Sequence, residues 1–318
     1  MTDFQAIVLG VLQGATEWLP ISSTAHLRVV PALWGWEDPG AAFTAITQLG
    51  TFLAALVYFR RDIWAILRGG KGAEGVGGRA DRRLLWPILL GTIPICVFGA
   101  LFQKAIESSL RSLWVVAGSL IVFALLLAAA EALHLARRRM GDVRLSDGLI
   151  VGIGQAFALI PGASRSGATI TAALFAGLER ATAARFSFLL SLPAVFLAGF
   201  YELFKIRHLV SDTHLGRPIL LATALAFLVG WATIHWLLQF LRTRPTYVFI
   251  AYRLALGLLI IALLVSGRLQ AVDDALSRSM QAFSSNTTRS YISAGDSVQP
   301  IVARESLLSN PRAVVKNH

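Results

Sequence analysis

Charge is scarce in this sequence. Asp, Glu, Lys and Arg supply 15% of its 318 residues, where ordinary globular domains carry roughly 25%. Apolar residues supply 55% and the mean hydropathy is +0.64. Cysteine is nearly absent: Cys96 stands alone inside an apolar run, so no intrachain disulfide framework can form. A soluble enzyme, a disordered scaffold and a disulfide-stapled secreted domain are all excluded. Acidic residues are scarcer than basic ones, 18 against 29, for a net charge of +11. In a soluble protein that excess would point to nucleic acid, but no basic stripe with interleaved aromatics is present. In a membrane protein the same excess collects in cytoplasmic loops beside anionic lipid.

What the chain does have is long uncharged apolar runs, several reaching the ~20 residues a helix needs to cross a bilayer. Six segments read as full crossings: 41–59, 84–102, 113–135, 184–204, 219–240 and 247–265. Two further stretches, 4–19 and 145–160, are short for a crossing. Each runs into a small-residue, hydroxyl-rich segment with a proline, Pro20 to His26 in one and Pro161 to Gly167 in the other. Non-helical backbone at membrane depth is tolerated only where protein or a wet cavity surrounds it. Both therefore read as re-entrant helical hairpins. The first is not a signal peptide, since it lacks a basic leader and carries Gln13 and Glu17 inside its apolar run.

Loop charge sets the orientation. With 60–83 in the cytoplasm, the cytoplasmic connections hold 15 Lys and Arg and the opposite ones hold six, as the positive-inside rule requires. An internal repeat supports the same layout. Gly10 to Gln13 matches Gly152 to Gln155, and each copy continues into Pro and then a Ser-rich break. Three crossings separate the two hairpins, so the second copy is inverted. Such repeats commonly place a site near the midplane where the copies meet. The expected architecture is an all-α polytopic membrane protein with six transmembrane helices and two re-entrant hairpins. Its repeats cover about 4–135 and 145–266, and a polar, flexible tail spans 267–318.

Chemistry concentrates at the two breaks. Gln13 and Glu17 are four apart and share a helix face. An ionisable residue at membrane depth marks a functional site by default, and carboxylate and amide oxygens suit a hard cation such as Mg²⁺ or Ca²⁺. The alternative for Glu17 is a structural hydrogen bond to hairpin backbone. Ser22, Ser23, Thr24 and His26 follow, with Ser23 and His26 three apart, a spacing that can set a nucleophile beside a base. Arg165, flanked by Ser164, Ser166 and Gly167, offers a guanidinium fork with hydroxyl and backbone donors suited to phosphate; its alternative is contact with lipid headgroups. Gln48 serves the site or a helix–helix hydrogen bond. Arg253, His235 and Glu131 are explained by snorkelling or pairing. A held metal, a serine with a histidine and an anion pocket inside a membrane point to phosphoryl transfer on a lipid-linked phosphate. The competing class is a transporter or flippase of a lipid phosphate, which would need no nucleophile.

The segment Gln13-Gly-Ala-Thr-Glu17-Trp-Leu-Pro-Ile-Ser22-Ser23-Thr24-Ala-His26 resembles the (Glu/Gln)-x-x-x-Glu and Leu-Pro-x-Ser-Ser-Thr-x-His signature of the undecaprenyl-diphosphate phosphatase family, the bacitracin-resistance proteins. Pro161-Gly-Ala-Ser164-Arg165-Ser166-Gly167-Ala-Thr169 is similar to that family's Pro-Gly-x-Ser-Arg-Ser-x-x-Thr. The resemblance covers about residues 4–266. It implies hydrolysis of undecaprenyl diphosphate, carrier recycling for peptidoglycan synthesis and bacitracin resistance. It further implies a bacterial inner-membrane location, a periplasm-facing site and a divalent cation, Mg²⁺ or Ca²⁺. Glu17 and Gln13 would then serve the metal and diphosphate, Ser23 would be the nucleophile, and His26 would be the acid or base. Arg165, Ser164, Ser166 and Thr169 would hold the diphosphate, with Ser22, Thr24, Gly167 and Gln48 completing the substrate site. Gln13 stands where many members have Glu, leaving one charge fewer at the metal, and Ala25 stands where Gly is common. The implied partners are the polyprenyl lipid and surrounding membrane lipids, not nucleic acid; a homo-oligomer stays open.

The orientation is testable directly. An impermeant thiol reagent applied to intact spheroplasts is expected to label a cysteine introduced at Gln103 or His208 and to spare one at Gly72. The reverse pattern would turn the site toward the cytoplasm.

Overall fold

A computed structural model of the chain describes residues 1–69, 74–75, 78–107, 112–133, 138–210 and 213–269. Contacts gather Met1–Ala271 into one unit, and the second unit, Val272–His318, lies outside the described residues together with nearly all of the expected flexible tail. The described chain is helical apart from a two-residue ribbon, Glu74–Gly75 with Gly78–Arg79. In order, the helices are α1 (Asp3–Trp18), α2 (Ser23–Leu33), α3 (Gly40–Tyr58), α4 (Arg60–Arg68), α5 (Leu85–Glu107) and α6 (Leu113–Ala132). They continue with α7 (Leu145–Ala156), α8 (Arg165–Phe175), α9 (Arg180–Val210), α10 (Thr213–Thr243) and α11 (Tyr247–Val265).

Five of these are long and apolar enough to cross a membrane, or six if α3 and α4 count as one bent span. The protein is a multi-pass membrane protein. Each of the six expected crossings overlaps a helix, residues 134–135 of the third lie outside the described residues, and α11 matches its expected limits. Two differences stand out. The chain bends by 67° between α3 and α4, so the connection expected from residue 60 begins as a helix. Arg60, Arg61 and Arg68 flank the apolar run Ile63–Leu67 there, an amphipathic composition suited to lying along an interface. Helices α9 and α10 each run 31 residues, beyond their apolar cores.

The two short stretches behave as a pair. Helix α1 begins with a capping box between Thr2 and Gln5 and ends where Leu19 turns extended ahead of Pro20. Helix α7 is followed by a single 3₁₀ turn, Phe157–Leu159, and then Pro161. Each break leads into another short helix, α2 or α8. Their neighbours match as well: α1 packs along α10, and α7 along α5.

Close backbone approach makes both packings. A Cβ on Gly10 would lie 2.4 Å from the carbonyl oxygen of Ala222 on α10, and one on Gly152 would lie 2.2 Å from that of Gly91 on α5. Lipid offers no hydrophobic drive between helices, so small residues that admit such contact carry the association. Between the pairs, Trp18 packs edge-on to Phe188 at 4.9 Å, joining α1 to α9. Buried ion pairs tie the ends near residues 60 and 180. Arg185 donates to Asp62 at 2.7 Å, and Glu131 accepts from Arg180 and, at 2.7 Å, from Thr246. Glu131 thus pairs as expected, and His235 meets the Tyr58 hydroxyl at 3.3 Å.

Gly152→Ala is expected to cost about 1–3 kcal/mol through overpacking, seen as a lower melting temperature in detergent. Gly118→Ala, where nothing lies within 4 Å of the added carbon, should leave melting unchanged or raise it.

Candidate active site

The breaks position the polar residues through one local device used twice. Ser22 and Ser164 both adopt a left-handed backbone, with φ of 74° and 68°. That conformation costs a non-glycine residue on the order of 1–2 kcal/mol. Both serines are helix N-caps and recover part of that cost by accepting backbone N–H bonds, Ser22 Oγ from Ala25 and Ser164 Oγ from Gly167. The next residue in each case, Ser23 or Arg165, is the first of its helix and lines a shared pocket.

The pocket is partly open, with a cavity volume of about 90 Å³. Helix α1 contributes Gln13 and Glu17, and the first break and the start of α2 contribute Ser22, Ser23 and Thr24. Thr44 and Gln48 come from α3, and Ser164 and Arg165 from the second break with Gly162, Ala158 and Ile160. Glu17 is its electrostatic centre. Its Oε2 accepts from Ser23 Oγ at 2.7 Å and from Gln13 Nε2 at 3.1 Å, and its Oε1 accepts from Gln48 Nε2 at 3.2 Å. Gln48 therefore serves the carboxylate directly. Arg165 Nη1 and Gln13 Oε1 are buried without a hydrogen-bond partner. An unmatched donor and an unmatched acceptor in one pocket are what a bound anion with its counter-cation would satisfy.

For a divalent cation the donor set is hard oxygen: the Glu17 carboxylate and the free Gln13 Oε1. No group of three or more His, Cys, Asp or Glu suited to a metal occurs among the described residues. The protein would supply a minority of six or more ligands, and phosphate oxygens or water the rest. The residues fit a cation shared with a phosphate.

Several expected site residues sit elsewhere. His26 does not bond Ser23. Its Nδ1 lies 2.7 Å from the Ser22 carbonyl oxygen and its Nε2 lies 2.6 Å from the Tyr252 hydroxyl, with the two rings within 7° of parallel. The helical spacing permits a serine–histidine contact, but Glu17 reaches Ser23 first and the break turns the imidazole back onto its own cap. Ser166 lies beneath the pocket and donates to the Leu19 carbonyl at 2.9 Å, stitching α8 to the end of α1. Thr169 donates to the Arg165 carbonyl at 2.7 Å, inside its own helix. A Cβ on Gly167 would lie 2.4 Å from Arg253 Nη1, so that glycine makes room for an arginine.

Arg253 itself does not snorkel. It is fully buried on α11, with carbonyls of both breaks around it. Tyr252 and Thr44 also join the site's surroundings without a local sequence signal, because their proximity exists only in the folded bundle.

A family described as Bacitracin resistance protein BacA matches residues 6–259. The chain belongs to this family. The match spans both breaks, every pocket residue and Arg253. An undecaprenyl-diphosphatase of Prosthecochloris aestuarii is 52% identical over 283 residues, covering 85% of this chain and 100% of the relative. Proteins of the same name from Myxococcus xanthus and Chlorobaculum tepidum are each 50% identical over 85% of this chain, which covers 91% and 99% of their lengths.

Proposed function

We propose that this chain is an integral-membrane phosphatase that hydrolyses undecaprenyl diphosphate to undecaprenyl phosphate and inorganic phosphate. It thereby recycles the lipid carrier of peptidoglycan synthesis and resists bacitracin. Family relatives named undecaprenyl-diphosphatase support the substrate. The observation that carries the chemistry is the 2.7 Å hydrogen bond from Ser23 to Glu17 in a pocket that Arg165 also lines. A hydroxyl held by a carboxylate beside an unpaired guanidinium nitrogen is a nucleophile, a base and an anion clamp together. Transport of a lipid phosphate needs no such hydroxyl, so phosphate release by the purified protein in detergent separates the two activities.

Ser23 Oγ attacks the terminal phosphorus as its proton passes to Glu17 and on to the departing phosphate. The anhydride P–O bond breaks with its electron pair on undecaprenyl phosphate. Water then attacks the phosphoserine, and its proton moves through Glu17 to Ser23 Oγ as that P–O bond breaks. Arg165, with Ser164 at the head of α8, neutralises charge gathering on the phosphoryl oxygens. Gln48 and Gln13 hold the carboxylate in place, while His26 and Tyr252 fix the cap that aims Ser23. A Mg²⁺ or Ca²⁺ ion, held by Glu17 and Gln13, would supply further neutralisation of the diphosphate.

In this reading α1–α2 and α7–α8 are two re-entrant hairpins, and six crossings complete two inverted repeats over about 4–135 and 145–266. The matched serine caps and matched glycine contacts support it. The loop-charge bias supports a pocket facing the periplasm from the inner membrane.

Glu17→Gln and Arg165→Ala should each lower phosphate release at least ~100-fold with expression retained, the loss attached to removing one preorganised stabilising group. Wild-type turnover in either variant would remove that residue from the site. Gln13→Glu should remain active and reach its optimum at lower metal concentration, because an added carboxylate raises affinity for a hard ion. A metal titration identical to wild type would exclude residue 13 as a ligand.

A further inference from the structure

A single guanidinium lies between the two breaks. Arg253 has 0% exposure. Its Nη2 donates to the carbonyls of Ala163 at 2.9 Å and Gly162 at 3.3 Å, both in the second break. Its Nη1 donates to the carbonyl of Pro20 in the first break at 3.4 Å, and its Nε to the carbonyl of Leu120 on α6 at 3.3 Å. All four acceptors are backbone oxygens, and three of them come from chain that has left the helix. Such carbonyls lack an intrahelical donor, and at membrane depth water cannot replace one.

We propose that Arg253 is a positioning residue for the phosphatase reaction, clamping both breaks so that Ser23 and Arg165 are presented to one substrate together. This rests on the activity proposed above. Pro20 lies three residues before Ser23, and Ala163 lies two before Arg165. Movement of the guanidinium is therefore felt at both pocket residues at once. The planar fork is essential: an ammonium keeps the charge but cannot hold donors in the fixed directions that reach two separate segments. Gly167 belongs to the same device, because any Cβ there would collide with Nη1 at 2.4 Å. Arg253 touches no pocket space itself, and it does not line the cavity.

The test compares purified full-length wild type, Arg253→Lys, Gly167→Ala and the double variant by steady-state phosphate release and by amide exchange. A small misplacement of reacting groups can cost about 100-fold. Arg253→Lys should therefore lose about 30- to 100-fold in kcat with KM within about threefold of wild type. Gly167→Ala should behave alike, and the double variant should be no worse than about threefold beyond either, because both changes break one clamp. Exchange should quicken at residues 19–23 and 161–165 together in Arg253→Lys, with α5 and α10 still protected. Unchanged kcat, a loss confined to KM, multiplying losses in the double variant, or faster exchange at only one break would each overturn the clamp. If wild type released no phosphate, the proposed activity would fall, while paired or unpaired exchange at the two breaks would still decide the coupling.

Discussion

Backbone that leaves the helix within an apolar bundle exposes carbonyls and amides that need partners, and the breaks in this protein are organised around satisfying them. Two such interruptions occur, at Leu19–Ser22 and at Ile160–Ser164. Serine side chains cap the amide ends that follow, and Arg253 reaches the carbonyl side of both. Ser166 takes up the Leu19 carbonyl across the gap between them. The interruptions are therefore tied to one another as well as to the surrounding bundle, and the pocket is the space left where they meet. The glycine contacts of α1 on α10 and α7 on α5 hold the first arm of each interruption in place.

The reactive group depends on that frame. Glu17 accepts from Ser23, Gln13 and Gln48, three donors drawn from three helices. A carboxylate so placed has its oxygens directed rather than free to rotate. The arginine opposite keeps a donor nitrogen without a protein partner. Structural ion pairs elsewhere, such as Asp62 with Arg185 and Glu131 with Arg180, are satisfied within the protein.

Much of this was legible in the sequence, because it is written in local pattern. Apolar runs of span length located the long apolar helices, and Tyr247–Val265 matched its expected limits. Glu17 announced itself as a charge in an apolar run, and Ser23 and Arg165 through the hydroxyl-rich segments after each proline. What stayed hidden depends on partners far away in the chain. Arg253 looked like an arginine able to snorkel because nothing near it in sequence reveals Pro20 or Ala163. The spacing of Ser23 and His26 suggested a dyad, but helical periodicity cannot say that the imidazole turns to Tyr252, 226 residues on. Gly167 read as phosphate-loop backbone, and its reason is the bulk of an arginine from another helix. The bend at Phe59 leads into an amphipathic helix whose residues a count of loop charge had treated only as a total.

The two serine caps also show how one local framework, used twice, can carry a division of labour. Their φ angles are 74° and 68° and their ψ angles 98° and 115°, and each hands the following side chain to the same pocket. One copy presents a hydroxyl there and the other a guanidinium. With the presenting geometry held constant, the chemical identity of a single side chain distinguishes an electron-pair donor from a cation. Identical residues at both places would have offered two hydroxyls or two cations to the pocket instead of one of each. Asymmetry in chemistry is thus achieved here without asymmetry in framework.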